Sequence, residues 1–290
     1  MPFDTMGQTS RLPLTKAMDM RSMLSKKKFK KCSASRIYYY KLKTLLLVEH
    51  NTVTNKNRSE AYSTVVIMRH GQSVWNAQDL FTGWEDADLT QTGKEEAINA
   101  GQLLRKQNIN FNLAHCSLLK RAIKTLWITL DTLDQVWIPI KKHWRLNERH
   151  YGHLTGLNKI KMEQTHGSDT VKKWRKSYDY LPKPIGDNNK NWKGLDDRYK
   201  DVSPNLIPQN ESLKDTVERV KLYWNTQIQT DIEKGKNIII SAHGNSIRAL
   251  LMYLENINAK DIEEINIPRA IPIIIKFDQD NNILSKTFLR

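Results

Sequence analysis

Cysteine is nearly absent. The 290 residues contain Cys32 and Cys116, one in a basic head and one in the body. Two thiols so placed imply no disulfide framework, and a reducing cytosol is the simplest compartment. Also missing is any apolar run near the roughly 20 residues that a bilayer span needs. The richest candidate, Ile37–Val48, is broken by Lys41 and Lys43. Neither HxH nor HExxH occurs, so the usual zinc spacings are lacking and no metal is expected. Acids are in deficit, 31 against 46 Lys and Arg, for a net charge of +15. Residues 1–62 carry 13 Lys/Arg and 4 Asp/Glu (+9), and the remainder 33 and 27 (+6). The head lacks periodicity and holds no recognisable nucleic-acid module. It is expected to be a disordered extension, with a targeting segment or an upstream start as alternatives. The mildly basic body suits small anionic substrates that arginines steer and clamp. A hydrophobic content of 39% with eight Trp is compatible with a real core.

The body is organised around Thr64–Asn76, TVVIMRHGQSVWN. Val65–Met68 reads as a strand buried on both faces, as in a parallel sheet. Arg69, His70 and Gly71 follow at its carboxyl end, where open α/β sheets place their ligands. Asn237–Ser246, NIIISAHGNS, repeats the pattern. A parallel sheet would bring His70 and His243 side by side. Arg69 beside one histidine, with Gly71 and Gly244 freeing backbone N–H groups, favours an anion over a metal.

Between these strands the signals alternate. Thr92 is expected to cap a helix burying Ala97, Ala100, Gly101 and Leu104. Phe111–His115 reads as a strand. Ser117 is expected to cap the next helix, with Arg121 in its first turn. A cation there opposes the helix dipole, and a bound phosphate would offset the conflict. Val136–Ile140 is a third expected strand. Tyr151–Asn210 is long and weakly periodic, as functional lids are. Glu211–Glu233 reads as an amphipathic helix ended by Gly235, Asn245–Glu255 as another, and Ala270–Phe277 with Asn282–Phe288 as a strand pair. This alternation predicts an α/β/α layered domain with a mostly parallel sheet.

Arg69-His70-Gly71 resembles the signature of the histidine phosphatase superfamily. FTGW (Phe81–Trp84), LLKRAIKTLW (Leu118–Trp127), LNERHYGHLTGLNK (Leu146–Lys159), WRKSYD (Trp174–Asp179) and AHGNSIRAL (Ala242–Leu250) resemble, in order, its 2,3-bisphosphoglycerate-dependent phosphoglycerate mutases. The similarity runs from about Ser63 to the C-terminus. It implies a three-layer α/β/α sandwich over 63–290 with a six-stranded sheet, one strand antiparallel. It implies interconversion of 3- and 2-phosphoglycerate in glycolysis and gluconeogenesis, in the cytoplasm. A phosphohistidine enzyme and 2,3-bisphosphoglycerate, both primer and intermediate, would carry the reaction. His70 would be the nucleophile and Glu148 the proton donor and acceptor. His243, Arg69 and Arg121 would stabilise the transferring group. Gly71, Gln72, Ser73, Val74, Trp75, Asn76, Thr82, Gly83, Gly244 and Asn245 would contact substrate near it. Arg149, His150, Tyr151, Lys159, Arg175 and Lys176 would grip its carboxylate and second phosphate. The resemblance also implies a homo-oligomer, dimer or tetramer, with neither nucleic acid nor membrane as partner.

Several positions depart from the family pattern. Lys176 stands where a second Arg is usual, Thr155 for Gln, Gln72 for Glu, and Arg269-Ala270 for Thr-Gly. A phosphatase of the same superfamily would share His70, Arg69, Arg121 and His243. A bisphosphoglycerate synthase is a further alternative, though Ser73 stands where that relative usually has Gly.

Overall fold

The computed structural model describes residues 61–192, 194 and 196–290, so the basic head lies almost wholly outside the described residues. Its central feature is a six-stranded sheet in the order β3-β2-β4-β1-β5-β6. The strands are β1 (Ser63–Arg69), β2 (Leu113–Cys116), β3 (Ile140–Lys142), β4 (Ile238–Ala242), β5 (Ile273–Phe277) and β6 (Ile283–Phe288). The first four run parallel, and β5 alone is reversed, antiparallel to both β1 and β6. That is the expected topology.

Alternation along the strands divides the core in two. Val65 and Ile67 of β1, with Ile238 and Ile240 of β4, pack toward helices α6 (Leu213–Tyr223) and α8 (Gly244–Leu254). Val66 and Met68, with Ile239, face α2 (Gln91–Arg105) and α3 (Lys120–Leu133) on the other side. Such two-sided burial is why β1 reads as an unbroken apolar run. The remaining helices are α1 (Val74–Ala77), α4 (Lys159–His166), α5 (Ser168–Lys176) and α7 (Gln229–Ile232). No helix among the described residues is long and apolar enough to cross a membrane.

Several boundaries differ from expectation. Thr90 rather than Thr92 caps α2, its Oγ1 accepting from the Gly93 N–H at 3.0 Å. Helix α3 starts at Lys120, after Leu119, with no cap from its own N-cap side chain. Asp86, distant in sequence, accepts the Lys120 N–H instead. Strand β3 lies later than Val136–Ile140, and Val136 and Trp137 are exposed. Pro139 lacks an N–H for the ladder, which fits a strand that begins after it at the sheet edge. The expected 211–233 helix starts at Leu213 behind a Ser212–Asp215 capping box, and a π turn at Trp224–Ile228 separates α6 from α7.

Candidate active site

The parallel pairing of β1 with β4 matches Arg69 to Ala242, so the next residues, His70 and His243, leave the sheet together. Their ring centroids are 5.0 Å apart and both rings are buried. The tautomer of His70 follows from its partners. Nδ1 lies 2.6 Å from the Gly71 carbonyl, which only accepts, so Nδ1 carries the proton. Nε2 accepts from Arg121 Nε at 3.2 Å, which leaves its lone pair facing the cleft cation. Burial first, then Arg121 and Arg69, hold the His70 pKa well below the usual imidazole value. The ring is therefore neutral near pH 7. His243 is driven down by the same burial and by Arg121.

Arg121 is 1% exposed despite its place in the first turn of α3. Besides His70 it donates to the Glu85 and Gly83 carbonyls, each at 2.8 Å. Those carbonyls aim the guanidinium. Burial lowers its pKa to about 10, so it stays charged. Arg69 Nη1 is held by the Ile267 carbonyl at 2.8 Å. The Arg69 carbonyl in turn accepts from Ala270 N–H at 2.9 Å, and Ala270 sits at φ +48. The loop thus keeps a left-handed residue although an alanine occupies it.

Glu148 is buried beside this group. Its Oε1 accepts the N–H groups of Arg149 (2.9 Å) and Asn245 (3.0 Å). Its Oε2 lies toward Gly244, 3.6 Å from where a Cβ there would stand. The Glu148 carbonyl takes Trp84 Nε1 at 2.7 Å and Arg219 Nη2 at 3.0 Å. Arg219 is locked by a buried fork to Glu211 and also holds the Asn147 carbonyl at 3.0 Å. The segment carrying Glu148 is therefore fixed from behind.

One cleft of about 720 Å³, its open mouth included, collects Arg69, His70, Asn76, Thr82, Gly83, Arg121, Glu148, Tyr151, Lys159, Arg175, Lys176, Gly244 and Asn245. All of these are expected site residues. Lys159 is pushed down to about 8 by burial and by Arg175. Arg248 also lines the cleft, giving six cations to one carboxylate. Such a basin suits a small molecule with several negative charges.

Other expected residues lie off the cleft lining. The Gly71 N–H is not free, because it donates to Thr125 Oγ1 at 3.0 Å. A Cβ at Gly71 would meet the Gly93 carbonyl at 2.2 Å, so its glycine permits close backbone approach instead. Gln72 donates its N–H to Glu96 and accepts from Thr90. Ser73 caps α1, which carries Val74 and Trp75. His150 is buried between Trp84 and Trp192, its Nδ1 accepting from Gly152 N–H. Arg149 is buried over the Tyr151 ring and donates to the Trp174 carbonyl.

Sequence reasoning missed two residues here. Ser117, expected as a cap, places its Oγ 2.7 Å from His243 Nε2 while accepting from Leu119 N–H. Arg248 stands three residues after Asn245 on α8, a spacing that puts both on one face.

Known proteins resemble this chain over most of its length. The family model of the histidine phosphatase superfamily (branch 1) matches residues 65–203 and 187–288. A 2,3-bisphosphoglycerate-dependent phosphoglycerate mutase of Parabacteroides distasonis is 46% identical over 226 residues, 78% of this chain and 91% of that protein. One from Blochmanniella pennsylvanica is 48% identical over 227 residues, covering 78% and 98%. Among solved structures, a phosphoglycerate mutase from Bacillus anthracis superposes with a TM-score of 0.56 at 21% identity, over 79% of this chain and 92% of that one. At that identity it speaks to the fold alone.

Proposed function

Since this chain belongs to the 2,3-bisphosphoglycerate-dependent phosphoglycerate mutases of the histidine phosphatase superfamily, we propose that it interconverts 3- and 2-phosphoglycerate through a phosphohistidine enzyme. The observation that carries this reading is the pairing of a neutral, tautomer-fixed His70 with a cleft of six cations and one carboxylate. Residues 63–290 form the catalytic unit, acting in glycolysis and gluconeogenesis.

Phosphoryl transfer needs positioning and charge neutralisation more than covalent machinery. His70 Nε2 forms the N–P bond as the P–O bond to the glycerate carbon skeleton breaks. The electron pair stays on the departing oxygen, which takes a proton from Glu148. The phosphorylated His70 then gives its group to the free hydroxyl of an incoming 3-phosphoglycerate, whose proton Glu148 takes. The 2,3-bisphosphoglycerate so formed turns to offer its other phosphate to His70. Arg121 Nε stands 3.2 Å from Nε2, and during attack its N–H turns to a phosphoryl oxygen. Arg69 completes the neutralisation, and the neutral His243 ring adds a hydrogen bond rather than charge. Lys159, Arg175 and Lys176 hold the carboxylate and the phosphate that does not react. The intermediate must reorient without escaping, so this grip decides between mutase and phosphatase outcomes.

The test incubates the purified chain with 3-phosphoglycerate and a trace of 2,3-bisphosphoglycerate. The expected product is 2-phosphoglycerate, with turnover that depends on the primer. Release of inorganic phosphate in place of 2-phosphoglycerate would overturn the reading in favour of a phosphatase.

A further inference from the structure

We propose that Arg248 is a positioning residue that couples the anion-gripping end of α5 to the Asn245–Glu148 pair. The proposal rests on the mutase reading above. Arg248 sits on α8, is 5% exposed, and with one guanidinium reaches a neighbour on its own helix and two other elements. Nη1 donates to Asn245 Oδ1 at 3.0 Å. Nη2 donates to the Lys176 carbonyl at 3.0 Å and also to the Ile262 carbonyl.

The first of these bonds settles which way the Asn245 amide faces. A guanidinium can only donate, so it holds Oδ1 and turns Nδ2 away. Nδ2 then donates to the Tyr151 hydroxyl at 3.0 Å. With its side chain pinned on both sides, Asn245 presents its backbone N–H to Glu148 Oε1 at 3.0 Å. Oε2 is left for the substrate hydroxyl. The second bond fixes the main chain of Lys176, the last residue of α5, and with it the direction of the neighbouring Arg175.

A role in packing alone fits poorly. The hydrogen bonds of Arg248 go to amide and carbonyl oxygens, with no carboxylate among them. Burial lowers its pKa to about 10, and the repulsion of its neighbour Arg149 adds to this, with Glu148 and Glu263 offsetting only part. Burying a cation without a paired anion is costly where an apolar side chain would pack as well. Here the cation serves as a three-way strut between the reacting end of the cleft and its binding end. The two bonds have separable consequences. The Asn245 bond bears on turnover and the Lys176 bond on affinity.

The experiment is a double-mutant cycle with Arg248→Met and Asn245→Ala, reading kcat and KM for 3-phosphoglycerate beside thermal unfolding. Small misplacements near reacting groups can cost about 100-fold. Arg248→Met is expected to lower kcat by roughly 10- to 100-fold and to raise KM. In the Asn245→Ala background its effect on kcat should disappear while its effect on KM persists. Losses in kcat that multiply in the double variant would overturn the coupling, because a general loss of fold would act in both backgrounds. If Arg248→Met does not fold, Arg248→Lys enters the same cycle, and unchanged kcat and KM in it would equally overturn the proposal. Wild-type protein without mutase turnover would defeat the functional reading instead. Active wild type with indifferent Arg248 variants defeats this inference alone.

Discussion

The carboxyl edge of the sheet and the insert between Tyr151 and Asn210 face the same cleft but are built differently. Near the sheet edge Arg121 and Glu148 are buried and held, and the half-buried Arg69 is held by the Ile267 carbonyl. Arg121 makes three hydrogen bonds at 1% exposure, and Glu148 is fixed through both a carboxylate oxygen and its carbonyl. On the insert, the Arg175 side chain is 45% exposed, with a loose 3.9 Å pairing to Glu163. Lys176 Nζ has no hydrogen-bond partner among the described residues. Groups that stabilise a transition state gain from being fixed beforehand, because no reorganisation is then needed during reaction. Groups that hold a ligand while it turns over gain from freedom. On the proposed function, this contrast divides the work into chemistry at the sheet edge and retention by the insert.

Breaking the sheet side should give the largest effects. His70→Ala is expected to abolish both mutase turnover and acid-labile labelling by 2,3-bisphosphoglycerate. Persistent label in this variant would remove His70 as acceptor. Glu148→Gln keeps shape and the two N–H contacts but removes the base. General acid–base catalysis typically contributes about 10²–10⁴-fold, so kcat should fall by that factor with little change in KM. Near-normal turnover would leave Glu148 only as an anchor for the Arg149 and Asn245 N–H groups.

The two regions also differ in how far the sequence revealed them. Strand β1 was legible because a strand buried on both faces must be apolar throughout, and RHG marks its end. The pairing of His70 with His243 followed from the parallel topology. Helix starts were less legible, since α3 is capped by Asp86, 34 residues earlier, which no local pattern announces. Gly71 was read as freeing an N–H, yet its need arises from contact with Gly93, a tertiary fact. Arg248 went unnoticed because its meaning lies in partners on α5 and in the turn at Ile262. The insert offered only composition and the resemblance, since its short helices bury little. Helix α4 buries no residue fully and α5 only Val171.

A middle-sized effect should appear in stability against pH. Burial holds His70 and His243 well below the usual imidazole pKa, His150 down to about 3, and His115 down to about 4. Below pH 6.5 the unfolded chain protonates these rings while the folded chain keeps them neutral. Unfolding then takes up protons, so stability falls as the pH falls. Each such histidine contributes a slope of about 1.4 kcal/mol per pH unit between its folded and unfolded values. Melting temperature should therefore drop steeply from pH 7 to pH 5. A flat profile over that range would show that the edge histidines are not buried neutral in solution.

The smallest effect tests the insert. Lys176 is half-buried at the end of α5, at a position where the resemblance leads one to expect arginine. An ammonium meets an anion as a point charge, whereas a guanidinium offers a planar fork that matches carboxylate or phosphate oxygens. Lys176→Arg should add one charge-assisted bond to the bound ligand. In a partly exposed site such a bond is worth about 0.5–1 kcal/mol, or roughly 2- to 5-fold in KM. If the insert only retains the ligand, the added bond forms equally in the ground state and the transition state. KM should then fall while kcat stays the same. The reverse result, a changed kcat at constant KM, would mean that Lys176 senses the reacting group. The division between a fixed chemical edge and an adaptable grip would then have to be abandoned at the residue where the two regions meet, since the carbonyl of Lys176 is the one Arg248 holds.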